Sequence, residues 1–426
     1  MTTAAQAADL SLENMSIVNA AVRSGDDGLR VRTGRSRLSF VREPGRTRET
    51  HVSLIASDVT SHTTVRWHLT LASAAPTDVE IYNENDAERP RLVDRFHTDR
   101  PDEIFETPVG ALLAGGPVSP GVFPPPLTLA LYYPWYLHAD WDSPRLEDQA
   151  LYRYSTEFPD EIARSMLDAR NAGLNGVIVS WRGDTDWNDR RLRYVLDDAQ
   201  ALGLKVSVLI ETLWATEGPD GTVKPLSADK MRSWIEKVFD VFGQHPAFLK
   251  TDGRPVAFVY LADAFSRDDW RAIAASLRET RRDVFLLGDT VDLTYLESLN
   301  GVFSYSTVGI PQPALEPFYR DQSLRTHSFH MLSGGDRRLY AATVSPGYDD
   351  TLLVDRETTF SVDRANGRYF DTQWSAAVAS EPDWIVVTSW NEFWENTHIE
   401  PSVRYGHQYQ TLTRAWSRMF RQQYQP

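Results

Sequence analysis

The chain has 426 residues, 42% hydrophobic and 24% charged, which fits a folded globular protein and excludes disorder. Its 44 basic and 59 acidic side chains leave a net charge of −15, which argues against nucleic acid and anionic membrane surfaces as partners. Cysteine is absent, so disulfides and thiolate metal sites are excluded, and neither metal nor cofactor is expected.

The opening, MTTAAQAADLSLENMS, has no basic n-region and no long apolar h-region, so it does not read as a signal peptide. No apolar run is long enough to span a bilayer. A soluble protein is expected, extracytoplasmic if a leader has been removed and cytoplasmic otherwise. The runs RLSFV, HVSLIAS, TTVRWHLTLAS and DVEIYNE alternate between apolar and polar residues and are separated by polar turns. That is the pattern of an antiparallel β-domain, expected as a small β-sandwich over residues 1–118. Gly and Pro crowd 108–126, which reads as a linker.

From residue 127 to 426 the pattern changes to strand then helix, eight times over. LTLALYYPW precedes an amphipathic stretch from Pro159 to Ala172. GVIVSWRG precedes Asp189 to Leu202, and KVSVLIETLW precedes Ala228 to Phe242. PVAFVYLADAF precedes Asp268 to Arg281. VFLLGDT is followed by a short helix near Leu293 to Leu299, and GVFSYSTVG by one around Ala314 to Leu332. LYAATVSPGYDDT precedes Tyr369 to Ala379, and WIVVTSWNEFWE precedes Gln408 to Arg421. Nearly continuous apolar strands alternating with helices imply a parallel sheet covered on both faces. Eight such units predict an α/β fold, a closed (β/α)8 barrel. An open doubly wound sheet is the rival, but no GxGxxG turn follows the first strand.

Active sites of such barrels lie at the C-terminal ends of the strands. Those ends carry Tyr132, Tyr133, Trp135 and Tyr136; Trp181, Arg182 and Asp184; Glu211 and Trp214; Tyr260 and Asp263; Asp289; Tyr305; Tyr348, Asp349 and Asp350; and Trp390, Asn391, Glu392 and Glu395. The ring is acidic and aromatic. It has no phosphate loop and almost no Ser-His or Cys-His pairing. Carboxyl pairs cleave glycosidic bonds, one as acid and one as base or nucleophile, and flat aromatic faces stack on sugar rings. Oligo- or polysaccharide is therefore the expected partner. Taken singly, each residue has a blander reading. A strand-end Glu is more often a salt-bridge partner and Asp349 and Asp350 more often a cap or solvated loop, while Trp394 alone is as readily a packing residue as a sugar platform. His398 beside the glutamates matches no zinc spacing such as HExxH. Glu392 and Glu395 can share a pocket only if the chain leaves the strand between them. Their aromatic neighbours Trp390, Phe393 and Trp394 would make a charged carboxylate costly.

WNEFWENTHIEPS, with RYGHQY after it, resembles the NEWxEGTxIEP signature of the family 99 glycoside hydrolases, the endo-acting α-mannosidases and α-mannanases. LYYPWY, LIETLW and VSPGYDDT agree with the same family, so the resemblance covers about 127–422. It implies a (β/α)8 barrel and endo-cleavage of α-mannosides with retention, through attack of the substrate's own 2-hydroxyl. In that mechanism Glu392 would be the base and Glu395 the acid/base. Glu211 would be a substrate-binding carboxylate, and Tyr133, Trp135, Trp181, Tyr305 and Tyr348 pocket aromatics. Trp214, Tyr260, Asp349, Trp390 and Asn391 from their strand-end positions, and Trp394 from its place beside the glutamates, complete the expected binding set. Asn396 stands where the signature has Gly, and Phe393 and Trp394 where it has Trp and a polar residue. A carbohydrate-binding barrel without turnover, and a transglycosylase of glycan biosynthesis, remain alternatives.

Overall fold

A computed structural model describes residues 125–426 with side chains, except at 184, 214–225, 330–337, 355 and 424–426; within 1–124 it describes the backbone of the strands alone. The chain divides into two compact units, one formed by Met1–Val118 and the other by Ser119–Gln200 with Leu204–Pro426.

In the first unit, five antiparallel strands run in the order Leu29–Thr33, Arg37–Arg42, Ala8–Glu13, Val65–Leu71 and Asp102–Thr107. Two further antiparallel ladders pair Ala20–Ser24 with Val52–Ala56 and Thr77–Asn83 with Arg91–Thr98.

The second unit is a closed barrel of eight parallel strands. In chain order they are β1 (Leu127–Tyr132), β2 (Gly176–Trp181), β3 (Lys205–Ile210), β4 (Arg254–Val259), β5 (Phe285–Asp289), β6 (Gly301–Phe303), β7 (Leu339–Val344) and β8 (Trp384–Val387). Each pairs with the next, and β8 returns to β1 with Leu127 opposite Trp384 and Ala130 opposite Val387. The covering helices are α1 (Pro159–Asn171), α2 (Asp186–Leu202), α3 (Ala228–Lys237, extended by a π-helical segment to Phe242), α4 (Arg267–Glu279), α5 (Gln312–Ser333), α6 (Arg368–Ala379) and α7 (Gln408–Gln422). Between β5 and β6 lies a single 3-10 turn, Leu293–Glu297. The open doubly wound sheet is thereby excluded.

The strands are largely apolar because both faces are covered. Alternate residues point inward, and Leu129, Leu131, Ile178, Leu209, Val256, Phe258, Leu287, Phe303, Ala341 and Val386 fill the barrel. Residues one step out of phase, such as Ala130, Tyr132, Val177, Val179 and Val208, are just as buried and face the helices. Local chemistry sets the helix starts. Pro159 occupies the first turn of α1, where its missing N–H costs nothing. The Ser227 side chain caps α3, and Ser266 with Asp269 makes a capping box on α4. Among the described residues, no helix is long and apolar enough to cross a membrane.

Candidate active site

The inward phase of the strands carries straight into the site. Tyr133 continues the phase of Leu129 and Leu131, Glu211 that of Ser207 and Leu209, and Tyr260 that of Val256 and Phe258. Together with Trp135, Arg182, Tyr305, Arg356, Glu392, Trp394 and Glu395 they line a cavity of about 230 Å³ at the C-terminal end of the barrel.

The chain leaves β8 in a turn that brings both glutamates to this cavity. The Glu392 backbone N–H donates to Ser389 Oγ (2.7 Å). The Glu392 Oε1 accepts from the Trp394 N–H (3.0 Å) and from the Tyr136 hydroxyl (3.2 Å), whose oxygen in turn accepts the Phe393 N–H (2.8 Å). Tyr136 thus ties strand one to the turn, and Trp394 stacks on its ring. Glu395 takes a hydrogen bond from an Arg356 guanidinium nitrogen at 2.6 Å, and its carbonyl accepts the Asp349 N–H (2.8 Å). Asn396, where the signature has Gly, sits at φ 49°, a left-handed conformation that Asn tolerates better than most side chains. Opposite the pair, Tyr133 and Tyr305 share a hydroxyl hydrogen bond of 2.6 Å, and Tyr260 meets Tyr305 edge-on. Ser180 Oγ donates to Glu211 (2.7 Å). Tyr133 and Trp135 lie 4.6 Å apart by ring centroids, with the Arg182 guanidinium over the indole.

Burial dominates the electrostatics. It raises Glu392 well above the usual carboxyl range, and the facing Glu395 raises it further; the hydrogen bonds from Trp394 and Tyr136 act the other way. Burial also raises Glu395, opposed by Arg356. Glu211 is raised by burial against the pull of Ser180. Burial pushes Asp289 up to about 6 although it accepts the N–H groups of Tyr305 and Leu261. The aromatic neighbours expected to bury the glutamates do so only in part. Trp394 shares the cavity, but Phe393 turns into a cluster with Tyr136, Trp141 and His398.

Other expected binding residues lie elsewhere. Trp181 is fully buried between Trp234 and Phe242, and its indole N–H donates to Asp189 (2.9 Å). It is one residue out of phase with Ser180, so it faces the helices and not the cavity. Trp390 is also fully buried, donating to Ser165 Oγ (2.8 Å) and Glu400 (3.2 Å). Asn391 is fully buried too, and clamps Tyr133 through both backbone groups at 2.7 and 3.0 Å. These two support the site from behind and have no face to offer a sugar. Tyr348 stacks on Phe360 and bonds Arg356 and Asp350, one step behind the cavity. The Asp349 carboxylate caps the turn at Thr351. Trp214 ends a short strand with Leu213, and its side chain lies outside the described residues. Arg356 escaped the sequence reading. It sits in the polar stretch TLLVDRETTF, where nothing in type or spacing marks it. Tyr136 and Arg182 stood at strand ends but carried no assigned role.

Behind the turn, His398 is buried between Asp148 (3.1 Å from Nε2) and Arg364 (3.4 Å from Nδ1). Burial and the neighbouring Arg364 push the imidazole down to about 4, so it is neutral. Burial works to raise Asp148, but hydrogen bonds from His398, Ser402 and the Arg404 N–H hold it at about 2. Among the described residues, no group of three or more His, Asp or Glu side chains could hold a metal ion.

Glu400 gives the fold a pH dependence. Burial pushes it up to about 8 despite hydrogen bonds from Ser165, Tyr154 and Trp390. A carboxyl raised in the folded state contributes stability below its unfolded value of about 4.3. That contribution is lost as pH rises through the folded value, at about 1.4 kcal/mol per pH unit at most. Glu400→Gln should therefore flatten the fall in melting temperature between about pH 5 and pH 8. Parallel melting curves for the two proteins across that range would refute the assignment.

A family model described as "Glycosyl hydrolase family 99" matches residues 148–413. The chain is 26% identical over 272 residues to a glycoprotein endo-alpha-1,2-mannosidase of Xenopus laevis, covering 59% of this chain and 57% of that protein. It is 25% identical over 272 residues to the mouse protein of the same name, covering 59% and 55%. The chain thus spans little more than half the length of these curated relatives. The solved endo-alpha-mannosidase of family 99 from Bacteroides thetaiotaomicron, in complex with bis-tris-propane, superposes with a TM-score of 0.60 at 26% identity, covering 70% of this chain and 97% of that one. With the family model matching more than half of its residues, and with a closed barrel whose β8 turn brings the two signature glutamates to one cavity, the chain belongs to glycosyl hydrolase family 99.

Proposed function

We propose that the protein is an endo-acting glycoside hydrolase that cleaves α-mannosidic bonds with retention of configuration. The observation that carries this reading is the pair of glutamates, Glu392 buried and Glu395 partly buried, facing one cavity with Glu211 and an aromatic wall. The relatives' names supply the α-mannoside. In the first step Glu392, as carboxylate, takes the proton of the substrate's 2-hydroxyl. That oxygen attacks the anomeric carbon, the bond to the leaving oxygen breaks, and Glu395 gives that oxygen its proton. In the second step water attacks the anomeric carbon of the 1,2-anhydro sugar and loses a proton to Glu395, while Glu392 returns a proton to the 2-oxygen. Two inversions give net retention. Glu211 is placed to accept hydrogen bonds from sugar hydroxyls, and Trp135 and Trp394 to cover ring faces.

The test is incubation with α-linked manno-oligosaccharides and mannans, products being read by mass with and without acceptor sugars. Internal fragments appear if the reading is right. Transfer to the acceptor in place of water would mark a transglycosylase, and binding without any product a lectin-like barrel.

We further infer that residues 1–118 form an accessory β-sandwich domain, joined through the Gly/Pro-rich 108–126 segment. Residues 127–426 expressed alone should then fold and keep their melting transition. A fragment without a cooperative transition would show a shared core instead.

A further inference from the structure

We propose that Arg356 decides which of the two glutamates holds the proton, keeping Glu395 ionised in the free site and letting it go when a glycan enters; this rests on reading the cavity as a glycosidase site. The geometry is that of a fork with one fixed and one releasable arm. One guanidinium nitrogen lies 2.7 Å from Asp350 and 2.6 Å from the Tyr348 hydroxyl. The other lies 2.6 Å from Glu395. The Asp350 carboxylate is 3% exposed and is itself held by the Phe360 N–H (2.8 Å) and the Tyr348 hydroxyl (3.0 Å), so it anchors the arginine. The Glu395 arm reaches into the cavity, where a substrate can replace it.

Around Glu395 stand Glu392 on its own turn, Glu211 from the end of β3, Asp350 from beyond β7, and the hydroxyls of Tyr133, Tyr260, Tyr305 and Tyr348. Arg182 lines the cavity as well. Arg356 is the cation in contact. Burial makes two charges in this cluster costly, and a single charge settles on the carboxyl that faces the guanidinium. The free site therefore holds a protonated Glu392 and an ionised Glu395. The first chemical step needs the reverse. When a glycosidic oxygen takes the place of the Arg356 arm at Glu395, the proton leaves Glu392 and arrives on Glu395. Glu392 is then free to accept the 2-hydroxyl proton, and Arg356 stays on Asp350. Apart from the displaced arm, only a proton moves. Arg356 acts through Glu395 and is a positioning residue.

The experiment compares the wild type with Arg356→Gln and Arg356→Lys in two readouts. One is the pH profile of kcat/KM on an α-linked manno-oligosaccharide. The other needs no turnover: carboxyl ionisation in the free protein by infrared difference spectroscopy, with the Glu395 band assigned through its loss in Glu395→Gln. In Arg356→Gln the Glu395 band should ionise at least about one pH unit higher, a tenfold gain in proton affinity, and the alkaline limb of kcat/KM should move with it. Arg356→Lys, with one point charge to divide between Asp350 and Glu395, should shift both in the same direction by less. It carries the test if Arg356→Gln does not fold. A Glu395 band that stays in place, or a lowered rate with an unmoved profile, overturns the proposal. A shifted band in a protein that cleaves no glycoside upholds the role of Arg356 and overturns the glycosidase reading.

Discussion

Glu395→Gln is expected to slow hydrolysis of a natural α-mannoside by about 10²–10⁴-fold, the usual cost of losing a general acid/base. The change is nearly isosteric, and the Arg356 hydrogen bond can still be made to the amide oxygen, so the fold should survive. A substrate with a very good leaving group should recover much of the first step, because that oxygen then needs no proton. Glu392→Gln should lose as much on the natural substrate and recover nothing with the better leaving group, because the 2-hydroxyl still lacks its base. The pH profile separates the roles as well. Activity falls at high pH when the pair loses the one proton that sits on Glu395 once substrate is bound, so that limb should vanish in Glu395→Gln. Steady-state kinetics on both substrate types, across pH, reads all of this. Near-normal activity in both variants would move the chemistry elsewhere in the cavity, with Glu211 the first candidate.

The second large effect concerns stability. Asp148→Ala should cost about 1–3 kcal/mol or more, the penalty when a buried donor, here the His398 N–H, loses its charged hydrogen-bond partner. The Asp148 and His398 side chains are 2% and 1% exposed. His398 is neutral and stands between Asp148 and the buried Arg364, so it passes the carboxylate's influence to the guanidinium. Without Asp148, the buried cation over the Tyr405 and Tyr409 rings loses a carboxylate that favours its charge. Arg364 also donates to the Asn396 carbonyl at 2.8 Å, one residue beyond Glu395, so the loss should loosen the catalytic turn too. Urea unfolding measures the cost. A change below about 1 kcal/mol would mean that aromatic faces and the Asn396 carbonyl suffice for Arg364.

The barrel was legible because its signals repeat. Eight apolar runs, each followed by an amphipathic stretch, locate the strands and helices closely: the expected stretch from Pro159 to Ala172 is the helix Pro159–Asn171, and Leu293 to Leu299 the turn Leu293–Glu297. The strand-end rule also led to the cavity residues Tyr133, Trp135, Glu211, Tyr260, Tyr305, Glu392 and Glu395, and Trp394 came with the glutamates as their neighbour. Position at a strand end does not say which way a side chain points. Strict alternation does: with Ile178 and Ser180 pointing inward, Trp181 must point outward to the helices. No such count exists beyond a strand's end, so the backing roles of Trp390 and Asn391 needed the turn itself. Arg356 was illegible for a different reason. It reaches Glu395 from 39 residues away along the chain, out of a connection with no periodicity.

The most direct measurement of the central claim is the anomer first released from an α-linked manno-oligosaccharide, followed by proton NMR before mutarotation, with wild type, Glu392→Gln and Glu395→Gln side by side. The account expects an internal cut giving the α-anomer in the wild type and no detectable release in either variant over the same time. Release of the β-anomer, or α-anomer formation that persists in Glu392→Gln, would contradict it.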